Sequence, residues 1–135
     1  MRSFASDYEI GKRAERALLP TFNNYFKTDF ISTGRYDSLD FVSSTHNLEL
    51  KSRTNALNQY PTTLLPYSKV QHAEASQRKT IFAFNFTDGL TYIEYDKALF
   101  LTFGTNEFQR PARADHTDRN QLYIYIPVKH LIKLE

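Results

Sequence analysis

The stretch from Leu39 to Ser52 leaves this chain few choices. Leu39-Asp40-Phe41-Val42 is strand-like, and Ser43-Ser44-Thr45-His46 is a short polar turn. Asn47 to Ser52 then alternates, with Leu48 and Leu50 on one face and Glu49 and Lys51 on the other. Residues 39–52 therefore read as an antiparallel hairpin. If Val42 pairs with Asn47, Phe41 faces Leu48 and Asp40 faces Glu49. Directly opposed side chains sit about 4.5–5.5 Å apart at Cβ. Two carboxylates held that close repel unless a cation bridges them or one takes up a proton.

A helix precedes this hairpin. From Asp7 to Phe26, apolar residues fall at Ile10, Ala14, Ala17, Leu18, Phe22 and Tyr25, which is helical spacing. Ser6 or Asp7 suits the N-cap, and Glu9 suits the first turn. The ring of Pro20 opposes the carbonyl of Arg16, so a kink or break is expected, with Pro20 opening a short second piece. Phe30 to Tyr36 is extended. After the hairpin, residues 53–66 are rich in Asn, Thr and Pro and read as a loop, and Tyr67 to Arg78 suits a helix capped by Ser68.

The second half is mostly strand. Ile81 to Phe86 and Leu90 to Tyr95 flank Thr87-Asp88-Gly89, and Asp-Gly between such runs predicts a hairpin with a type I′ turn. A short segment near 98–103 leads to a polar loop, Asn106 to Asn120, holding Arg110, Arg113, His116 and Arg119. A strand from Leu122 to Ile126 stops at Pro127, and a short tail follows. This order predicts an α/β (α+β) fold, a central mixed β-sheet flanked by helices.

Length and composition bound the function. The 135 residues fit a single domain, 1–135, with 41% hydrophobic and 24% charged residues, an ordinary globular balance. No run of 18 apolar residues occurs, so no transmembrane helix and no membrane partner are expected. MRSFASDYEIGKRAER lacks a continuous apolar core, so a secretory signal is not expected either. Cysteine is absent, which excludes a disulfide scaffold and a thiol nucleophile and agrees with a reducing, cytoplasmic compartment. Phosphate-loop (GxxxxGK[ST]) and nucleophile-elbow (GxSxG) motifs are missing, and the four histidines (46, 72, 116, 130) show no zinc spacing. Net charge is +2. Residues 1–80 hold 11 Lys/Arg against 8 Asp/Glu (+3), and residues 81–135 hold 6 against 7 (−1). The basic excess lies in the half that carries the opposed acids.

The pair Asp40 and Glu49 suits Mg²⁺, a hard ion that takes one or two protein carboxylates and keeps waters for a phosphate. Lys51 projects from the same strand face as Glu49, placed to orient a water or steady a phosphate oxygen. The plainer reading is a solvent-facing Glu-x-Lys pair. On the first helix Glu15 falls at the edge of the apolar stripe, either as a boundary residue or as a third acid reaching the metal. His116 is either an ordinary loop residue or a DNA-backbone contact.

Gly11-Lys12-Arg13-Ala14-Glu15-Arg16-Ala17-Leu18, then Asp40, then Glu49-Leu50-Lys51, resemble the PD-(D/E)XK nuclease superfamily. The order there is helix glutamate, strand aspartate, then (D/E)xK on the next strand and a helix crossing the sheet. The likeness covers roughly residues 7–86. It is nearest to small stand-alone members such as Holliday junction resolvases and phage or viral endonucleases. It implies a restriction endonuclease-like core, with Asp40, Glu49 and Glu15 binding Mg²⁺ or Mn²⁺ and Lys51 positioning the water. On the following helix, Gln71 matches an accessory residue in type, with Lys69 as its competitor. Leu39 stands where the motif has proline, and Asp37 rivals Asp40.

The expectation is therefore a metal-dependent DNA endonuclease, an intracellular hydrolase whose resemblance extends to phage- and virus-encoded members. Arg35, Arg53, Lys69 and Arg78 are candidate phosphate contacts, and the Asn55–Tyr67 loop a candidate for substrate discrimination. Resolution of branched DNA would need two active sites, hence a homodimer. The alternatives are a non-catalytic nucleic-acid-binding module on the same fold, or an assembly protein whose Glu49 and Lys51 form a surface ion pair.

Overall fold

A strand whose two faces are both covered loses its polar alternation, and residues 79–86 show this. In the computed structural model, which describes residues 13–33, 39–109 and 120–134, β5 (Lys79–Phe86) is buried at Thr80 to Phe84 and again at Phe86. Phe82, Phe84 and Phe86 turn to one face, and Ile81 and Ala83 to the other. The remaining elements are arranged around this strand.

In chain order these are α1 (Leu19–Phe26), β1 (Ile31–Ser32), β2 (Phe41–Val42), β3 (His46–Ser52), β4 (Thr62–Pro66), α2 (Tyr67–Ala75) and β5. Then come β6 (Gly89–Glu94), α3 (Lys97–Phe100), β7 (Thr105–Gln109), β8 (Asn120–Pro127), a 3₁₀ turn (Val128–His130) and β9 (Ile132–Lys133). Strands β1-β2-β3-β5-β6-β9 form a six-stranded sheet, and β4-β8-β7 a second, three-stranded one. Only the β3–β5 pair is parallel, which makes the central sheet mixed. A parallel pair needs a long crossover, here supplied by β4 and α2. The fold is α+β.

Two apolar clusters fill the space on either side of the central sheet. Phe22 of α1 packs with Phe30, Phe41, Leu48, Leu50, Ile81 and Ala83 on one side. On the other, Val70 and Ala73 of α2 join Phe82, Phe84 and Phe86, with Leu65, Ile124 and Ile126 from the second sheet. Thr91 is fully buried and stays satisfied because its hydroxyl donates to the Phe84 carbonyl at 2.9 Å.

The break near Pro20 is present. Residues 13–17 are helical, Leu18 lies in a turn, and α1 starts at Leu19 with Pro20 in its first turn, where the missing N–H has no helical partner to lose. α1 ends at Lys27, which adopts a left-handed conformation (φ 53°, ψ 55°) without being glycine.

The hairpin forms in the inferred register, Phe41 opposite Leu48 and Val42 opposite Asn47. Ser43 shapes its turn, accepting the backbone N–H groups of Thr45 and His46 on its hydroxyl at 3.2 and 3.0 Å.

Several expectations are corrected. The region 53–66 is not all loop, because Thr62–Pro66 pairs with β8 and buries alternate residues, Thr63 and Leu65. α2 stops at Ala75 rather than Arg78, and Pro66, not Ser68, stands at its cap. The turn between β5 and β6 consists of Thr87 and Asp88, with Gly89 already paired to Phe86. Among the described residues no glycine has positive φ and the only non-glycine that does is Lys27, so the turn is not type I′. Asp88 instead accepts the Leu57 N–H at 2.9 Å and so ties down the preceding loop. Residues 105–109, placed partly in a polar loop, form β7, and the tail contributes β9, which pairs with β6.

The cap at Ser6 or Asp7, Glu9, Arg35, Asp37, Arg110, Arg113, His116 and Arg119 lie outside the described residues. No helix among the described residues is long and apolar enough to cross a membrane.

Candidate active site

Alternation along β3 decides where its charged residues go. Leu48 and Leu50 enter the cluster under α1, so Glu49 turns to the opposite face, beside Phe82 of β5 and below α2. Glu49 is only 3% exposed. Asp40 immediately precedes β2, and its backbone N–H donates to the Leu48 carbonyl at 3.1 Å. Its Oδ2 accepts the Leu50 N–H at 2.8 Å, which fixes the carboxylate against β3. The hairpin thus sets Asp40 across from Glu49.

The electrostatics follow from this placement. Glu49 titrates at about 7 instead of 4.5, first because burial disfavours its charge and next because Asp40 repels it. Two lysines act in the opposite sense. Lys51 Nζ lies 3.1 Å from Glu49 Oε2, and Lys69 Nζ of α2 lies 3.6 Å from Oε1. Oε1 is buried and takes no hydrogen bond. A buried carboxylate oxygen that accepts no hydrogen bond, beside a second carboxylate, fits a hard cation by donor type.

Of the acids, lysines and arginines named from sequence, Asp40, Glu49, Lys51 and Lys69 come together. The choice on α2 falls on Lys69, because Gln71 is exposed. Helical arithmetic separates the two: Val70 and Ala73 face the core, and at 100° per residue Lys69 lies about 70° from their mean direction and Gln71 about 130°. Glu15 is half-buried, with Oε2 out of solvent. The neighbouring Leu18 and Leu19 pack on the α1 side of the sheet, the face opposite Glu49. Among the described residues no three acids, histidines or cysteines are grouped to hold an ion, so the assembled acids are the pair Asp40 and Glu49.

Arg53, a candidate phosphate contact from sequence, is half-buried and engaged within the fold. Its Nε donates to Thr63 Oγ1 at 3.1 Å, an Nη group donates to the Leu64 carbonyl, and the guanidinium lies 5.6 Å from the Phe84 ring centre. Burial lowers its pKa. These bonds follow from the pairing of β4, which the sequence reading did not place. Arg78 is exposed between α2 and β5.

No protein-family model, curated protein or solved structure matches this chain.

Proposed function

We propose that the protein is a metal-dependent endonuclease that hydrolyses DNA phosphodiester bonds. The observation that carries this reading is Glu49, a buried carboxylate opposed to Asp40, with Lys51 at 3.1 Å on the same strand face. A fold gains no stability by burying one acid beside another, so the arrangement supports a ligand that uses both. The resemblance of Asp40 and Glu49-Leu50-Lys51 to the PD-(D/E)XK pattern supports the same assignment.

Asp40 and Glu49 would hold Mg²⁺ or Mn²⁺, which supplies positive charge for the phosphate and acidifies a water. Asp40 is held by the Leu50 N–H, so one acid is fixed before any ligand arrives. Lys51, about 30% exposed, reaches from the buried carboxylate toward solvent and would orient the attacking water and steady a phosphate oxygen. Phe82 and the apolar floor under α2 keep bulk water from the inner side of Glu49.

The test is incubation with supercoiled, linear and branched DNA in Mg²⁺ or Mn²⁺, comparing wild type with Glu49→Ala and Lys51→Ala. Loss of cleavage in both variants is expected. Cleavage unchanged in both sinks the assignment, and salt-sensitive DNA binding without cleavage under any divalent ion marks a binding module instead. Products cut symmetrically from a four-way junction would indicate a homodimeric resolvase.

A further inference from the structure

Glu49 has two ammonium partners, and they differ. Lys51 comes from the same strand and sits at hydrogen-bonding distance from Oε2. Lys69 comes from α2, and its Nζ stands 3.6 Å from Oε1, the oxygen that accepts no hydrogen bond. It supplies charge to that oxygen without satisfying its geometry. With Asp40 and Glu49 ionised, Lys51 and Lys69 balance the charge of these two acids.

Resting on the nuclease reading of this site, we propose that Lys69 is a tethered counter-cation for Glu49, which a divalent ion displaces from Oε1 and which then becomes available to a phosphate oxygen. Loading the ion adds two positive charges to these four side chains, suited to a phosphodiester and to the further negative charge that develops as it is attacked. Ion and nucleic acid then strengthen each other's binding, and by linkage the coupling is reciprocal. Lys69 is a positioning residue in this scheme. It sets the threshold at which the ion is accepted and links that threshold to the presence of a phosphate.

A lysine that merely pins α2 to the sheet behaves differently. Its loss loosens the site and weakens ion binding, whereas loss of a competing cation tightens it. The experiment is a titration of the full chain with Mn²⁺, reading the free ion by electron paramagnetic resonance, with and without a cleavage-resistant phosphorothioate duplex. It is run at a pH well above 7, so that Glu49 is ionised with and without Lys69. Lys69→Met and Lys69→Gln are expected to bind Mn²⁺ about tenfold more tightly than wild type, since one nearby like charge is gone. Lys69→Arg is expected to restore wild-type affinity, and Lys97→Met, at an exposed ion pair with Glu74, to match wild type. The duplex should raise Mn²⁺ affinity more in wild type than in Lys69→Met.

Unchanged or weaker Mn²⁺ binding in both neutral Lys69 variants overturns the proposal, as does a duplex effect of equal size with and without the lysine. Glu49→Gln separates the two levels of the argument. If it loses Mn²⁺ while the Lys69 variants gain nothing, the metal assignment stands and only the counter-cation role fails. If it keeps wild-type Mn²⁺ binding, the metal assignment fails and this inference with it.

Discussion

Glu49→Gln should make the protein more stable, and by an amount that depends on pH. In the folded chain Glu49 titrates at about 7 against an ordinary 4.5. Between those values the folded state binds more protons than the unfolded one, so this residue's contribution falls as pH rises through the window. At about 1.36 kcal/mol per tenfold change in proton affinity, the full penalty above pH 7 is about 3 kcal/mol. Glutamine keeps the shape and never ionises, so the variant escapes the penalty. Urea unfolding followed by circular dichroism, at several pH values, gives the difference between variant and wild type and cancels every other titrating group. The gap in favour of Glu49→Gln should open by about 2.5 kcal/mol between about pH 5 and pH 8. A pH-independent gap, or one that closes as pH rises, refutes the placement of Glu49 beside Asp40 in an apolar setting. Asp40→Asn should move the midpoint of this opening to lower pH, because Asp40 is one cause of the raised value.

Arg53→Met leaves the Thr63 hydroxyl and the Leu64 carbonyl without their donor and should cost about 2 kcal/mol in urea unfolding, with DNA affinity of the folded fraction unchanged. Lys27→Gly relieves the left-handed residue at the end of α1 and should add about 0.5–1 kcal/mol, read as a higher melting temperature. Phe22→Ala removes the fully buried anchor of α1 and should cost about 3–5 kcal/mol, enough to lose cooperative unfolding at moderate temperature.

The hairpin was legible because its pattern is local and redundant: alternation, a polar turn and one self-consistent register bring Asp40 near Glu49. The break at Leu18 was legible because proline chemistry is local as well. The second sheet was not. Thr62–Pro66 is five residues with two threonines between prolines, and only pairing with a distant strand makes it β. The type I′ expectation failed for a related reason, since hydrogen bonds from Leu57 to Asp88 and from Thr87 to Asn55 fix that turn from outside. Arg53 shows the same limit at the level of chemistry. Its bonds to Thr63 and to the Leu64 carbonyl could not be read until the neighbouring strand was placed.

The position of β8 has a consequence for the order in which the site is assembled. β8 is the middle strand of its sheet, and Thr62 of β4 pairs with Pro127, 65 positions later (127 − 62). At about 5–20 residues per second of synthesis, β4 waits roughly 3–13 s for its partner. The β2–β3 hairpin closes within a dozen residues and needs no such wait. The two acids are therefore brought together without β8, whereas α2, which packs on β5 and on the second sheet, completes its packing only after β8 arrives. For that interval the helix that delivers Lys69 has its β5 contacts but lacks those to Ile124 and Ile126.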